Sequence, residues 1–218
     1  NYMNKKRLII SLLAIITVVG AIVGSYVYRD TIYSRIARTA AVVSGQEIKP
    51  LLNSEGRYIR QIVAQDNSTS RTIMWQSDSS EADAVIEYRL AGSENTQTIG
   101  ATDKAFTDDG STTYIHEGTL TGLTPNTKYE YRVGYGSDRR SDWYSLETAG
   151  ASVYDVLIYP DSQSGDYSQW EEIVKDSAHR NPRTALYISM GDLVDNGEQD
   201  YQWRTWLNSI RPLSANVP

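Results

Sequence analysis

The chain has 218 residues, no cysteine and a formal net charge of −6. The absence of cysteine excludes disulfide bonds, thiolate metal sites and a cysteine nucleophile, and the acidic charge argues against nucleic acid as a partner. Only two histidines are present, so this chain alone cannot assemble a histidine-rich dinuclear metal site.

The N-terminal residues 1–29 have the pattern of a membrane anchor. Residues 5–7 are all basic, and residues 8–28 that follow contain no charged side chain. About twenty apolar residues are enough to span a bilayer as a helix, and a basic cluster before an apolar run is typical of export signals. We expect an uncleaved transmembrane signal-anchor with the rest of the chain outside the cytoplasm, or a secreted protein if the signal is cleaved. Residues 30–57 predict a linker.

Residues 58–149 predict an all-β domain. Short runs of β-favouring residues recur between turn signals, at a spacing that fits a sandwich of immunoglobulin size. The runs are residues 58–65, 72–76, 84–90, 97–102, 112–120, 128–135 and 143–147. Trp75 is expected to fill the centre of the sandwich, and Tyr129 predicts a tyrosine corner whose hydroxyl bonds to upstream backbone. The pattern resembles a fibronectin type III module, in which His116 is expected to be structural.

Residues 150–218 change to an alternation of strand and helix patterns. We expect strands at 153–159 and 185–190 and helices at 168–178 and 199–210. This alternation predicts an α/β domain with parallel strands and right-handed crossovers. The spacing of apolar residues predicts two buried helix faces, and prolines are expected to end the last helix. The first face has Trp170, Val174 and Ala178, and the second has Trp203, Leu207 and Ile210. The prolines are Pro212 and Pro218.

Acidic residues follow both predicted strands of this region. Asp161-Ser162-Gln163 comes after the first strand, and Gly191-Asp192 begins a loop after the second, with Gly191 expected to turn the chain sharply. The carboxyl ends of parallel strands meet at one edge of a sheet, so we expect Asp161 and Asp192 to converge. Two convergent carboxylates suit a pair of divalent or trivalent metal ions. Either loop alone is common turn chemistry, so the prediction depends on the pair.

The two loops carry a resemblance to a known family. Asp161-x-Gln163 followed by Gly191-Asp192-x-x-Asp195-x-Gly197 resembles the first two motifs of the calcineurin-like metallophosphoesterases, and the β-domain resembles the N-terminal domain of purple acid phosphatases. This implies that residues 150–218 begin an αββα catalytic domain, in which Asp161 binds one metal ion and Asp192 bridges two. Gln163 and Asp195 stand at two further ligand positions, where each is expected either to supply an oxygen ligand or to hydrogen-bond a neighbouring ligand. Ser162 is a weaker candidate for a substrate contact.

The resemblance also implies a reaction and its cofactors. The cofactors would be two divalent or mixed divalent and trivalent ions, either Fe, Mn or Zn. The reaction would be hydrolysis of phosphate monoesters, or less readily of diesters, on small-molecule or other phosphoester substrates. The implied enzyme is a membrane-anchored, extracytoplasmic acid-phosphatase-like hydrolase.

The chain departs from the family pattern in ways that leave alternatives open. Many metallophosphoesterases have His where Gln163 stands, and purple acid phosphatases have Tyr where Asp195 stands. The family's next motif, Gly-Asn-His, is not in the sequence, which predicts an N-terminal fragment that is inactive alone, with catalytic residues after Pro218. The alternative function is a cell-surface binding or adhesion protein with a degenerate phosphatase domain. A nucleotide-binding α/β protein is disfavoured, because no glycine-rich phosphate loop follows Tyr159.

Overall fold

A computed structural model of the chain describes residues 56–78, 80, 83–108, 111–150, 153–164 and 167–218. These residues belong to one compact unit, Asn53–Pro218. The predicted membrane anchor and nearly all of the predicted linker lie outside the described residues. Within the described ranges, the structure contains no helix that is both long and apolar enough to cross a membrane.

The first part of this unit is an all-β sandwich of two antiparallel sheets, as the sequence predicted. One sheet has the strand order β1-β2-β6-β5, and the other has the order β4-β3-β7-β8, with β9 also paired to β7. The strands are β1 (Arg57–Ile62), β2 (Arg71–Ser77), β3 (Ala84–Leu90), β4 (Gln97–Gly100), β5 (Thr102–Asp108), β6 (Ser111–Leu120), β7 (Lys128–Tyr135), β8 (Arg139–Arg140) and β9 (Tyr144–Glu147).

The core of the sandwich is built by strands whose side chains alternate between buried and solvent-facing positions. Strands β2 and β3 both bury every second residue, as strands with one face on a core must do. Trp75 is fully buried and donates a hydrogen bond of 2.9 Å to the Tyr135 hydroxyl, which confirms its predicted central place. His116 is also fully buried and stacks on Trp75 with 5.2 Å between ring centroids.

The predicted tyrosine corner is present at the turn into β7. The backbone N–H of Thr124 donates to the Tyr129 hydroxyl at 2.9 Å. Tyr129 itself is buried, so its hydroxyl satisfies a backbone donor that would otherwise lose its water. This bond fixes the connection between β6 and β7.

The sequence prediction was wrong where the chain changes sheets. Residues 97–102 were expected to form one strand, but β4 ends at Gly100 and β5 begins at Thr102, in the other sheet. The break lies at Ala101, whose N–H donates to the carbonyl of Ala84 at 2.8 Å. Residues 102–107 are all exposed, so β5 lacks the alternation of apolar and polar residues from which a strand is predicted.

The second part of the unit alternates strand and helix as predicted. Strands β10 (Asp155–Tyr159) and β11 (Thr184–Ser189) pair in parallel. Helices α1 (Ser168–Arg180) and α2 (Asp200–Ser214) form a core with Tyr159 of β10. The ring of Trp170 lies edge-on to Tyr159 at 4.9 Å and stacks on Trp206 at 6.1 Å. Trp170 and Val174 are buried as the helical spacing of α1 predicted.

Helix α2 differs from its prediction in its buried face and in its end. Gln202, Trp206 and Ile210 are buried, whereas Trp203 and Leu207 are only half-buried. Pro212 lies inside the helix, which continues to Ser214. The last turn is retained because the N–H of Ala215 still bonds to the carbonyl of Arg211 at 3.2 Å, and because the sandwich contacts this end.

The end of α2 packs into a buried polar junction on the sandwich. The carbonyl of Ala215 accepts hydrogen bonds from the Tyr131 hydroxyl at 2.6 Å and from Gln61 Nε2 at 3.1 Å. Gln61 Oε1 in turn accepts from Arg71 Nη1 at 3.0 Å, and both Gln61 and Arg71 are buried. These bonds connect the centre of the β-domain to the α/β part.

Candidate metal centre

The two acidic loops leave adjacent parallel strands side by side. We call residues 161–164 the first acidic loop and residues 191–197 the second acidic loop. Tyr159 at the end of β10 is in register with Ser189 at the end of β11. Just beyond them, the N–H of Met190 donates to the carbonyl of Tyr159 at 2.9 Å. The strands therefore deliver both loops to one edge of the sheet, where open α/β sheets bind ligands.

The structure brings Asp161 and Asp192 together. The backbone N–H of Asp192 donates to Oδ1 of Asp161 at 3.0 Å. The carbonyl of Asp192 accepts from the N–H groups of Ser162 and Gln163 at 3.1 and 2.9 Å. Both aspartates are exposed. The two loops are thus bonded to each other through their backbones, with both carboxylates at the solvent edge.

Gly191 is required for the close approach of Asp161. A Cβ on Gly191 would lie 1.3 Å from Asp161 Oδ1 and 2.7 Å from the Asp161 nitrogen. Gly191 is not one of the described glycines with positive φ. The chain nevertheless bends at this residue, as expected, and the missing side chain also leaves room for the carboxylate of Asp161.

Ser162 faces the interior of the protein. Its side chain is 7% exposed. Its Oγ accepts a hydrogen bond of 2.8 Å from Trp206 Nε1 and donates one of 3.3 Å to the carbonyl of Leu193. A substrate contact by Ser162 stays a prediction that this inward orientation does not favour.

Tyr167 lies close to both acidic loops on their buried side. Its hydroxyl donates to Gln202 Oε1 at 3.3 Å, and the backbone N–H groups of Ser164 and Asp195 lie close enough to affect the pKa of the phenol. Burial raises the pKa of the Tyr167 phenol, so the hydroxyl keeps the proton that it donates. Gln202 Oε1 also accepts from the N–H of Asn196 at 3.0 Å.

The exposed side chains of the two acidic loops carry oxygen atoms of the kind that bind metal ions, but they do not form a complete set of ligands. Asp161, Gln163, Asp192 and Asp195 are all exposed at this edge, and carboxylate and amide oxygens suit hard cations. Among the residues that the structure describes, no three of His, Cys, Asp and Glu are arranged to hold a metal ion. The donor atoms are of the kind that such cations bind, but the described residues do not form a complete metal site. Gln163 and Asp195 stay predicted ligands.

Two residues of α2 that contact the loops were not identified from the sequence as part of the site. Trp206 and Gln202 were missed because the predicted buried face included Trp203 and Leu207 instead. Their separation of four residues places them on one side of a helix. That spacing could have identified them from the sequence. A glutamine and a tryptophan on one buried helix face must find hydrogen-bond partners for their polar atoms, and the acidic loops were the nearest predicted source.

The β-sandwich matches a known family. Residues 58–148 match the family model described as purple acid phosphatase, N-terminal domain. The match supports a sandwich of the purple acid phosphatase type and is consistent with a phosphatase-related function. The match ends before the acidic loops, so it does not cover the predicted metal ligands.

Similarity to solved structures is weak. One titled "Myokine structure" is 13% identical, with 44% of this chain and 98% of that chain covered and a TM-score of 0.32. The carbohydrate binding module of the muscle glycogen-targeting subunit of protein phosphatase-1 is 14% identical, with 49% and 84% covered and a TM-score of 0.34. A sensor domain of the anti-sigma factor RsgI4 in Pseudobacteroides cellulosolvens is 16% identical, with 45% and 98% covered and a TM-score of 0.30. Scores this low carry no inference about function.

Proposed function

We propose that this protein is a metal-dependent phosphoesterase that hydrolyses phosphate monoesters outside the cytoplasm. The observation that carries the proposal is the contact between Asp192 N and Asp161 Oδ1, 3.0 Å long, at the carboxyl ends of adjacent parallel strands. The match of residues 58–148 to the purple acid phosphatase N-terminal domain adds support. The predicted substrates are small molecules that carry a phosphate ester.

Asp161 and Asp192 are the residues that would hold the metal ions. Gln163 and Asp195, exposed on the same two loops, would add oxygen ligands to a pair of Fe, Mn or Zn ions. Bound ions of this kind lower the pKa of a water molecule and stabilise negative charge on phosphoryl oxygens. The chain itself holds Oδ1 of Asp161 against the second acidic loop, because this oxygen accepts a hydrogen bond from the N–H of Asp192.

The proposed location follows from the N-terminal sequence pattern. Residues 8–28 lack charged side chains and follow a basic cluster, which is typical of an export signal or an anchor. We propose a single membrane anchor with the acidic loops on the extracytoplasmic side. Protease added to intact cells should then digest the sandwich, and protection of the sandwich would contradict this location.

The function is tested with the full gene product and a chromogenic phosphate monoester, with and without added Mn²⁺ or Fe. We expect a metal-dependent rate that Asp192→Asn lowers by more than about 100-fold, because the change removes a charged ligand and not merely a group that supports one. Glu198→Gln is the matched control, since Glu198 is an exposed acid directly after the second acidic loop. This control should leave the rate unchanged.

Two results would contradict the proposal. One is a metal-dependent rate that survives Asp192→Asn, which would remove Asp192 from the site. The other is the lack of any metal-dependent rate in the wild-type gene product, which would favour the alternative of a surface-binding protein.

A further inference from the structure

We propose that Trp206 is a positioning residue for the acidic loops and that it acts through Ser162. The inference deepens the proposed function, since the loops that it concerns carry Asp161 and Asp192. Trp206 lies on α2 and contributes no oxygen ligand. Its role would be to hold the loop backbone in the arrangement that places the Asp161 carboxylate against the backbone of Asp192.

The contact between Trp206 and Ser162 is buried and directional. The indole Nε1–H donates to Ser162 Oγ at 2.8 Å, and the Trp206 side chain is 6% exposed. A buried polar atom that loses its partner pays the cost of desolvation without compensation. The hydroxyl of Ser162 is thus confined to one orientation, in which it donates to the carbonyl of Leu193 at 3.3 Å.

Ser162 is one of the residues that join the two acidic loops. It directly follows Asp161, and its backbone N–H donates to the carbonyl of Asp192 at 3.1 Å. Its side chain and its backbone therefore both contact the second acidic loop. A shift of Ser162 would move Asp161 relative to Asp192, and displacements of about 1 Å are enough to impair a catalytic site.

Helix α2 makes a second contact with the same loops one turn earlier. Gln202 Oε1 accepts from the N–H of Asn196 at 3.0 Å and from the Tyr167 hydroxyl at 3.3 Å. The Tyr167 hydroxyl also lies near the backbone N–H groups of Ser164 and Asp195, one on each loop. The two α2 side chains thus hold the loops at separate points, so loss of the Trp206 bond should loosen the loops without unfolding them.

The far end of α2 is held by the sandwich. The helix has 15 residues and is therefore about 22 Å long, with Ala215 beyond its end bonded to Tyr131 and Gln61. Because the helix is fixed at its C-terminal end, the position of Trp206 along the helix axis relative to the loops is also fixed. The sandwich thereby contributes to the placement of Asp161 and Asp192 without contacting them.

The test compares Trp206→Phe with Trp170→Phe in the full gene product. Both changes remove an indole from the same core, but among the described residues Trp170 Nε1 has no hydrogen-bond partner. We expect amide hydrogen exchange at Ser162 and Gln163 to become about 10-fold faster in Trp206→Phe and to stay unchanged in Trp170→Phe. Equal exchange in the two variants would overturn the proposal.

Mn²⁺ binding and kinetics give the second measurement. We expect Trp206→Phe to weaken Mn²⁺ binding by about 10- to 100-fold and to lower kcat at saturating Mn²⁺ with KM nearly unchanged. Ser162→Ala removes the same bond from the other side and serves if Trp206→Phe does not fold. The double variant should lose no more than the larger single loss, because both changes break one interaction. Fully additive losses would contradict it.

These measurements separate the two proposals. A wild-type protein that binds no Mn²⁺ and hydrolyses no ester contradicts the proposed function, and the exchange rates then decide the positioning role alone. A wild-type protein that binds Mn²⁺ and hydrolyses the ester, with equal exchange and equal Mn²⁺ affinity in Trp206→Phe and Trp170→Phe, contradicts only the positioning role.

Discussion

The hydroxyl of Tyr131 donates a hydrogen bond of 2.6 Å to the carbonyl of Ala215, and this bond joins the centre of the sandwich to the end of α2. The last carbonyls of a helix have no partner within it, and here a residue of the β-domain supplies one. Arg71 approaches the same end through Gln61. Burial lowers the pKa of the Arg71 guanidinium to about 10, and the partial negative charge at the C-terminus of the helix offsets part of this cost.

The first prediction concerns the strength of this junction. Tyr131→Phe should lower the free energy of unfolding by about 1–3 kcal/mol, because it removes a buried hydrogen bond from the Ala215 carbonyl. Urea denaturation at neutral pH measures the change. The α/β part should become more sensitive to protease than the sandwich core, since the bond connects these two parts.

Tyr144→Phe is the matched control for this prediction. Tyr144 lies next to Tyr131, with 5.8 Å between ring centroids, and its hydroxyl accepts an exposed bond of 3.2 Å from Arg211 of α2. An exposed bond exchanges readily with water, so the loss should be below about 0.5 kcal/mol. Equal losses in the two variants would contradict a special role for the buried bond.

The second prediction is a loss of stability at alkaline pH. Burial raises the pKa of the Tyr131 phenol well above its ordinary value of 10.0, and burial also raises the pKa of Tyr187. Below pH 10 these phenols are protonated in both states and add no pH dependence. Above pH 10 the unfolded chain loses phenol protons that the folded chain keeps, so the contribution of these phenols to the free energy of unfolding falls as pH rises. The lowered pKa of Arg71 acts in the opposite direction.

Tyr131→Phe provides the measurement for this pH dependence. The slope of the free energy of unfolding against pH should become less negative by up to about 1.4 kcal/mol per pH unit above pH 10. Urea denaturation of wild type and variant over that range gives both slopes. Parallel slopes would show that the Tyr131 phenol does not titrate differently in the two states.

The third prediction concerns the core of the sandwich. Trp75→Phe should cost about 2–4 kcal/mol, because it leaves a cavity at a fully buried position and removes the bond to the Tyr135 hydroxyl. Trp143→Phe is the control, since Trp143 is half-buried between Arg89 and Arg132 at 4.0 and 4.5 Å. Thermal unfolding should show a much smaller change for the control.

Features with a local cause were predictable from the sequence. Strands β3 and β7 have the predicted bounds, Ala84–Leu90 and Lys128–Tyr135. They were predictable because each is a run of β-favouring residues between turn signals. The tyrosine corner at Tyr129 was predictable because it joins groups five residues apart. The proximity of Asp161 and Asp192 has no local cause, but it was predictable from a general rule of topology, because parallel strands bring their carboxyl ends to one edge.

Features that depend on contacts between distant segments were not predictable in the same way. The bond from Trp206 to Ser162 joins residues 44 positions apart, and the helical pattern of α2 did not identify which tryptophan would be buried. The continuation of α2 past Pro212 depends on Tyr131 and Gln61 of the sandwich. The steric role of Gly191 depends on where Asp161 lies, which is a tertiary fact.

The fourth prediction tests that steric role. Gly191→Ala would place a Cβ 1.3 Å from Oδ1 of Asp161, so the carboxylate must move out of its place against the second acidic loop. We expect Mn²⁺ affinity and the metal-dependent phosphatase rate of the full gene product each to fall by more than about 10-fold. Isothermal titration with Mn²⁺ and the monoester assay measure these changes.

Gly197→Ala is the control in the same loop, because a Cβ there would meet no atom within 4 Å and the residue is exposed. It should leave the Mn²⁺ affinity and the rate near wild type. The free energy of unfolding of both variants separates a local effect from a global one, since Gly191→Ala disturbs exposed loops and should cost no more than about 1–3 kcal/mol. Wild-type Mn²⁺ affinity in Gly191→Ala would show that the observed place of the Asp161 carboxylate is not needed for metal binding.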